Sequence, residues 1–347
     1  MGKLNYYAKV LLGAKFKKLN VVINRVHSIN NKNKIAILLD IIKCARNYGC
    51  GYNDYNIFGW YDMNENQRKT YVTRMINKTI INTVNDPEFD YIFDNKSIFN
   101  EKFTKYLNRE YLSVEKMTLS DFDKFMSTKD IIFAKPDSSE SGKGIEKLTK
   151  FDFTTISDMY DYIKSEEKNF GVIEEQIVQH QALSKLYPLA INSLRIVTLV
   201  RNGVAHCAYV TSKMGNEGKY VDNLENSGLC CPVDMQTGKI IGVAHTSKLV
   251  NYEKHPYSGV EFIGYQLPYI KEAVELAKKA ALEVSEVGYI GWDVCITENG
   301  PSIIEGNNYP GYDFWQLPEH TPDKIGLLPF FVKLIPELRN KSNFVKI

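Results

Sequence analysis

Tyr289-Ile-Gly-Trp-Asp293-Val-Cys-Ile-Thr-Glu298-Asn-Gly-Pro-Ser-Ile-Ile-Glu305-Gly-Asn307-Asn reads as two short apolar runs on either side of a turn. Val294-Cys295-Ile296 and Ser302-Ile303-Ile304 flank Asn299-Gly300-Pro301, the signature of a β-hairpin. Asp293 opens the first strand and Glu305 closes the second, so the hairpin lays them side by side. Asn307, two residues on, faces the same way while the chain stays extended. Two carboxylates and an amide oxygen form a hard oxygen set, suited to Mg²⁺ that keeps some of its water and also meets substrate phosphates. The same residue types also serve as solvent-facing hairpin ends. Here the apolar flanks argue for a largely buried sheet, where unpaired charge is costly and a cation offsets it.

Working upstream, Ile131-Ile132-Phe133-Ala134-Lys135-Pro136 is a strand that carries one lysine. Ser138-Ser139-Glu140-Ser141-Gly142-Lys143-Gly144-Ile145 follows it. Glycine and serine bring backbone amides close to phosphate oxygens, and Lys135 adds a point charge on a rigid strand. The order of a Walker A loop is absent, and taken alone the segment is also ordinary loop material. Gly171-Val172-Ile173-Glu174-Glu175-Gln176-Ile177 is an apolar strand ending in acids. Its backbone could hold an adenine ring, with Glu174 or Gln181 at the polar edges of the nucleoside. In Ile191-Asn192-Ser193-Leu194-Arg195-Ile196-Val197 the guanidinium of Arg195 stands among apolar neighbours and requires an anion. That anion is either a structural carboxylate or a transferring phosphoryl group, which arginine clamps with planar donors.

This ordered set, strand lysine, glycine loop, paired acids, N-x-x-R strand and D…E-x-N, resembles the ATP-grasp superfamily. His180-Gln181, Asn192-Ser193-Leu194-Arg195, Val221-Asp222-Asn223, His255-Pro256 and Glu305-Gly306-Asn307 are similar to its sugar-transfer-associated branch. The resemblance covers about residues 90 to 320. It implies Lys96 and Lys135 as the lysines on the ATP phosphates, with Lys102 competing for the first role. It implies a lid in which Ser139, Ser141, Gly142 and Gly144 meet the β- and γ-phosphates, and an adenine hinge over Glu174, Glu175 and Ile177. Gln181 or His180 falls where the family contacts ribose, usually with an acid. Asp293, Glu305 and Asn307 match the Mg²⁺ ligands, and Arg195 matches the arginine that steadies the phosphoryl group and the oxyanion. After Val221-Asp222-Asn223 the family leads one to expect a glycine pair, whereas this chain has Ser227-Gly228-Leu229-Cys230.

The 347 residues are enough for two lobes with a large core. A formal charge of +2, from 43 basic and 41 acidic residues, offers no bulk field to recruit nucleic acid. Cys44, Cys50, Cys207, Cys230, Cys231 and Cys295 lack C-x-x-C spacing, which favours a reduced cytoplasm and small core roles. No secretory signal or membrane-spanning run is apparent. Lysines among Leu4, Tyr7, Val10, Leu11 and Leu12 leave two readings of the first turns: a helix packed on the protein, or a basic amphipathic contact with a membrane surface. Residues 34–47 and 269–287 read as helices, the second buttressing the hairpin with Ile270, Ala273, Val274, Ala277, Ala280, Ala281 and Val284 inward. The aromatic run Tyr52, Tyr55, Phe58, Trp60 and Tyr61 reads as packing.

The expectation is an α+β fold, two ATP-grasp lobes around Mg-ATP behind a mainly helical N-terminal region. The boundaries expected are 1–90 helical, 91–180 small lobe and 181–347 large lobe. The resemblance implies a carboxylate-amine ligase working through an acyl phosphate. Its expected partners are a small-molecule acid and an amine borne by a sugar or sugar nucleotide, in surface-polysaccharide assembly. A kinase on the same fold and a non-catalytic nucleotide-binding subunit stand as alternatives.

Overall fold

A computed structural model describes residues 16–138 and 144–347. The chain divides into two units, Asp86–Tyr309 and a second formed by residues up to Asn85 together with Pro310–Ile347.

The Asp86–Tyr309 unit holds two antiparallel sheets. The smaller has the order β1-β4-β2-β3, with β1 Tyr111–Ser113, β2 Ile131–Pro136, β3 Glu146–Thr149 and β4 Phe170–Glu175. Helices Leu119–Met126 and Ile156–Lys164 cover one face, where Phe122, Phe125, Met159 and Ile163 pack on Ile132, Ala134, Leu148 and Ile173. Strand alternation therefore sends Phe133, Lys135 and Glu174 to the opposite face.

The larger sheet has the order β11-β10-β5-β6-β7-β8-β9. Its long strands are β5 Ser193–Arg201, β6 Val204–Met214, β10 Tyr289–Thr297 and β11 Gly300–Asn307. β7 Leu229–Val233, β8 Ala244–His245 and β9 Asn251–Tyr252 extend one edge. The expected helix is present as Ile270–Ala281, continued by a 3₁₀ turn at Leu282–Val284. Its buried face is Ile270, Ala273, Ala277, Ala280 and Ala281, small side chains that let the helix lie close on the sheet. Trp292 is fully buried in the same core, with Phe99 and Phe103 beside it and its indole N–H donating to Thr198 Oγ1 at 2.9 Å. Gly306 pairs with Trp292 on this core face. A Cβ at Gly306 would lie 3.0 Å from the Phe93 ring and 3.1 Å from Phe99, which is why the middle of Glu305-Gly306-Asn307 carries no side chain.

The other unit is helical. Helices Phe16–Asn30 and Lys34–Tyr48 bury Leu19, Val22, Val26, Ile37, Ile41 and Cys44 in a core that also contains Tyr55, Phe58 and Trp60. The second helix ends at Gly49, whose φ of 63° fits the left-handed cap that glycine supplies. Arg68 is bidentate to Asp40, at 2.8 and 2.7 Å, and Tyr55 donates to the same carboxylate at 2.8 Å. Residues 310–347, expected as part of the large lobe, group with this unit instead. The cause is visible at Gln316, whose carboxamide accepts from the Val72 N–H and donates to the Val72 carbonyl, both at 2.9 Å. The Leu328 N–H likewise donates to the Thr70 carbonyl. No described helix is long and apolar enough to cross a membrane.

Candidate active site

Register across the large sheet builds one row of charged residues. Glu305 on β11 pairs with Asp293 on β10, which pairs with Arg195 on β5, which pairs with Thr211 on β6. Asn307 pairs with Gly291, two residues from Asp293, so its side chain shares their face. β11 carries a bulge at this point: Val294 faces Ile303 and Asp293 faces Glu305, leaving Ile304 as the extra residue.

Asp293 is buried and held on two sides. Arg195 donates to it from Nε at 2.6 Å and from Nη2 at 3.2 Å, and Lys213 donates from Nζ at 2.7 Å. Burial would raise its pKa, but these cations outweigh burial and hold it well below the carboxylate range. Burial would lower Arg195 and Lys213, and the carboxylates nearby raise both, Asp293 for the arginine and Asp222 then Asp293 for the lysine. Glu305 goes the other way: the side chain reaches solvent, but the protein crowded around its carboxyl and then the negative charge of Asp293 raise its pKa. Asp222 lies 3.8 Å from Lys213 and accepts from both the hydroxyl and the N–H of Ser193. The Asn307 amide oxygen accepts from the Tyr309 N–H at 2.7 Å.

The small sheet contributes a second cluster. Glu174 accepts from Lys135 at 2.6 Å, from Arg109 at 2.9 and 3.0 Å and from Asn100 at 2.8 Å. Glu174 and the Arg109 side chain are only 3 and 2 % exposed. Burial alone would push Glu174 up; Lys135 and Arg109 bring it well below its ordinary value. Arg109 also donates to the carbonyls of Ile303 and Ile304, the residues leading to Glu305, so one guanidinium ties the two sheets together.

Lys96 begins the Lys96–Leu107 helix, and its N–H donates to the Asp137 carbonyl at 3.1 Å. Burial lowers its pKa against the pull of Glu305, and Lys135, Asp137 and Glu174 are also within electrostatic reach. Lys102 lies on the exposed side of that helix, toward Glu283.

A family model described as sugar-transfer associated ATP-grasp matches residues 75–324. The chain belongs to that family. Its fold is the ATP-grasp fold, α+β with a helical N-terminal region, as expected. Among curated protein sequences none matches significantly. Three solved structures are similar to it. D-cycloserine synthetase DcsG is 10 % identical over 73 % of this chain and 72 % of its own, with a TM-score of 0.41. D-alanyl-alanine synthetase A from Vibrio cholerae is 15 % identical over 74 and 66 %, with a TM-score of 0.40. The ATP-grasp ligase PsnB with its minimal precursor is 11 % identical over 73 and 64 %, with a TM-score of 0.41.

Placed on this ATP-grasp chain, Asp293, Glu305, Asn307, Arg195, Lys96, Lys135 and Glu174 come together around the two sheets. The expectation that Glu174 reaches a nucleoside edge meets a competing arrangement, because Arg109, Lys135 and Asn100 engage both of its oxygens. Glu175 accepts from the Glu110 N–H at 2.8 Å, and Ile177 is half-buried in the segment that follows β4. Gln181 is exposed, and its N–H donates to Glu298, which also lies 3.3 Å from His180. Ser139, Ser141 and Gly142 lie outside the described residues, whereas Gly144 has a φ of 74°. Arg195 finds its anion in Asp293.

Three residues escaped the sequence reading. Lys213 follows Thr211 and Ser212 in a strand that begins apolar, so its neighbours gave less signal than those of Arg195. Asp222 lay in a motif without an assigned role, and Arg109, in a polar connection, carried no pattern.

Two carboxylates and an amide oxygen are the donor types a divalent cation takes, and Glu305 and Asn307 flank Asp293, whose two oxygens are engaged by Arg195 and Lys213. Among the described residues no group of three or more His, Cys, Asp or Glu converges. A pocket of about 340 Å³ bounded by Thr237, Gln266, Tyr269 and Lys271 holds none of these residues.

Proposed function

We propose that the protein is an ATP-dependent carboxylate-amine ligase, joining an amino or hydroxy acid to a sugar or sugar-linked amine in surface-polysaccharide assembly. The observation that carries this reading is the single row Glu305, Asp293, Arg195 on the large sheet, with Lys96 in electrostatic reach of Glu305 and of Lys135. Family membership supports ATP as the phosphoryl donor, and the word "sugar-transfer" in the family's description supports the acceptor class.

In this reading the backbone of Glu175 to Ile177 meets the adenine edge, since the Glu174 carboxylate is committed to Arg109 and Lys135. Gln181 or His180, with Glu298 beside them, stands toward the ribose. Lys96, Lys135 and Gly144 would meet the β- and γ-phosphates. Asp293, Glu305 and Asn307 would hold Mg²⁺, which when bound supplies charge neutralisation at the phosphates. The substrate carboxylate attacks the γ-phosphorus and releases ADP, leaving an acyl phosphate. The amine then attacks the carbonyl carbon, phosphate departs with the electron pair of the C–O bond, and the amine loses a proton to solvent. Arg195 and Lys213 offset the charge on the phosphoryl group and the oxyanion. No thiol is required: Cys230 and Cys231 are buried, and burial raises the Cys231 pKa well above its ordinary value. Six free cysteines suit a reducing, cytoplasmic compartment.

The test supplies ATP and candidate acids without amine and adds hydroxylamine to trap an acyl phosphate. A hydroxamate from wild type, but scarcely from Arg195→Lys, which keeps the charge and loses the planar fork, is the expected result. A stable phosphorylated alcohol with no trappable acyl species would replace the ligase by a kinase.

A further inference from the structure

Residues 1–39 contain eight lysines and arginines and no aspartate or glutamate; the first acid is Asp40. With a formal charge of only +2 on the whole chain, everything after residue 39 is net acidic. The positive charge is concentrated at one end.

Where this stretch is described it forms the helices Phe16–Asn30 and Lys34–Tyr48, each turning one face into the same core. The opposite faces are not simply polar. On the first helix Lys17, Val21, Arg25 and Ile29 follow one another at i, i+4 spacing, a row that alternates cation and aliphatic, and all are exposed. On the second, exposed Ile35 and Leu39, with half-buried Ile42 beside them, lie away from the buried Ile37, Ile41 and Cys44. Val21, Ile35 and Leu39 are 62, 68 and 60 % exposed. Among the described residues no ion pair holds Lys17, Lys18, Arg25 or Lys34.

One exposed leucine on a protein surface needs no explanation. Aliphatic rows laced with unpaired cations, in a segment without any acid, are a different case. A nucleic acid would use the cations and have no place for Val21, Ile35 and Leu39, and water suits neither the aliphatic rows nor their regular spacing. We propose that this two-helix face docks on an anionic lipid bilayer. The cations would lie at headgroup phosphates and the aliphatic side chains would enter the acyl boundary. The inference stands apart from the reading of the catalytic site and does not depend on turnover.

The test is co-sedimentation of the full chain with vesicles of phosphatidylcholine alone or with about one third phosphatidylglycerol, near the ionic strength at which surface charge still acts over about 10 Å. Binding to the phosphatidylglycerol vesicles alone, weakening with salt, is expected. Replacing Lys17, Lys18 and Arg25 by Gln should lower the affinity on the order of 10²-fold, from the usual contribution per basic residue near an anionic leaflet. Val21→Ser, Ile35→Ser and Leu39→Ser together should lower it at least about tenfold, by removing aliphatic area from the acyl boundary. All six side chains are exposed, so unchanged thermal unfolding should show that both variants are folded. Failure to sediment with phosphatidylglycerol vesicles overturns the proposal. So does an aliphatic variant that binds as tightly as the parent, which would make the face a plain polyanion site for nucleic acid or an acidic protein. A concentration-dependent dimer that this variant abolishes, without vesicle binding, would assign the face to a second copy of the chain.

Discussion

Glu174→Gln keeps the side-chain volume and removes the charge on which the small sheet's inner face is organised. In the parent, four donors converge on the carboxylate: two from Arg109, one from Lys135 and one from Asn100, at 2.6 to 3.0 Å. The amide can accept at one oxygen only, and its NH₂ points donors at donors. Buried Arg109 and half-buried Lys135 are left without their counter-charge, and breaking a buried pair from one side costs about 3–5 kcal/mol. For a unit of this size that corresponds to a melting point lower by roughly 10 °C. The effect has a definite pH dependence. The folded-state pKa of Glu174 lies below its ordinary value of 4.5, because Lys135 and Arg109 outweigh burial. Its stabilisation is therefore complete above the unfolded-state pKa and is lost as pH falls toward the lower folded-state value. Urea unfolding followed by far-UV circular dichroism should show the full gap between parent and variant at pH 7 and a narrowing gap as pH falls below 4.5. A loss under about 1 kcal/mol at pH 7, the scale of an exposed pair, would refute the reasoning, as would a gap that widens on acidification.

Glu305→Gln and Asn307→Ala should each reduce turnover by about 10²-fold or more, the scale of a lost transition-state electrostatic contact. Their unfolding should stay within about 1 kcal/mol of the parent; activity within a few-fold of wild type in either would remove the cation assignment. Lys96→Met should raise the KM for ATP by about tenfold or more, the scale of one charge-assisted contact, while Lys102→Met leaves it unchanged. The reverse pattern in steady-state kinetics would exchange their roles.

Much of the large sheet was legible because strands and helices announce themselves by period. Arg195 among apolar neighbours marked β5, and the alanine spacing of residues 270–281 marked the helix behind it. Periodicity failed where a helix is apolar on two sides. Lys34–Tyr48 carries Ile35 and Leu39 outward as well as Ile37 and Ile41 inward, and spacing alone cannot say which row packs. It failed again for contacts made across long separations. Gln316 against Val72 and Arg109 against Glu174 depend on where the chain returns, which no local pattern records.

The hairpin shows how a correct pairing can rest on a device the sequence does not display. The turn was expected at Asn299-Gly300-Pro301, but it is tighter: Thr297 pairs with Gly300, Val294 with Ile303. Continued regularly, that register would set Asp293 against Ile304 and send Glu305 to the core face, because a shift of one residue reverses every side chain. The extra residue at Ile304 restores Glu305 to the side of Asp293. Arg109 donates to the carbonyls of Ile303 and Ile304 at this bulge while its other contacts hold Glu174, and through Glu174, Lys135. The acid pair and the strand lysine are therefore set by one buried guanidinium. The residues with the chemistry could be read from their strands; the residue that aligns them could be found only once the two sheets were seen to meet there.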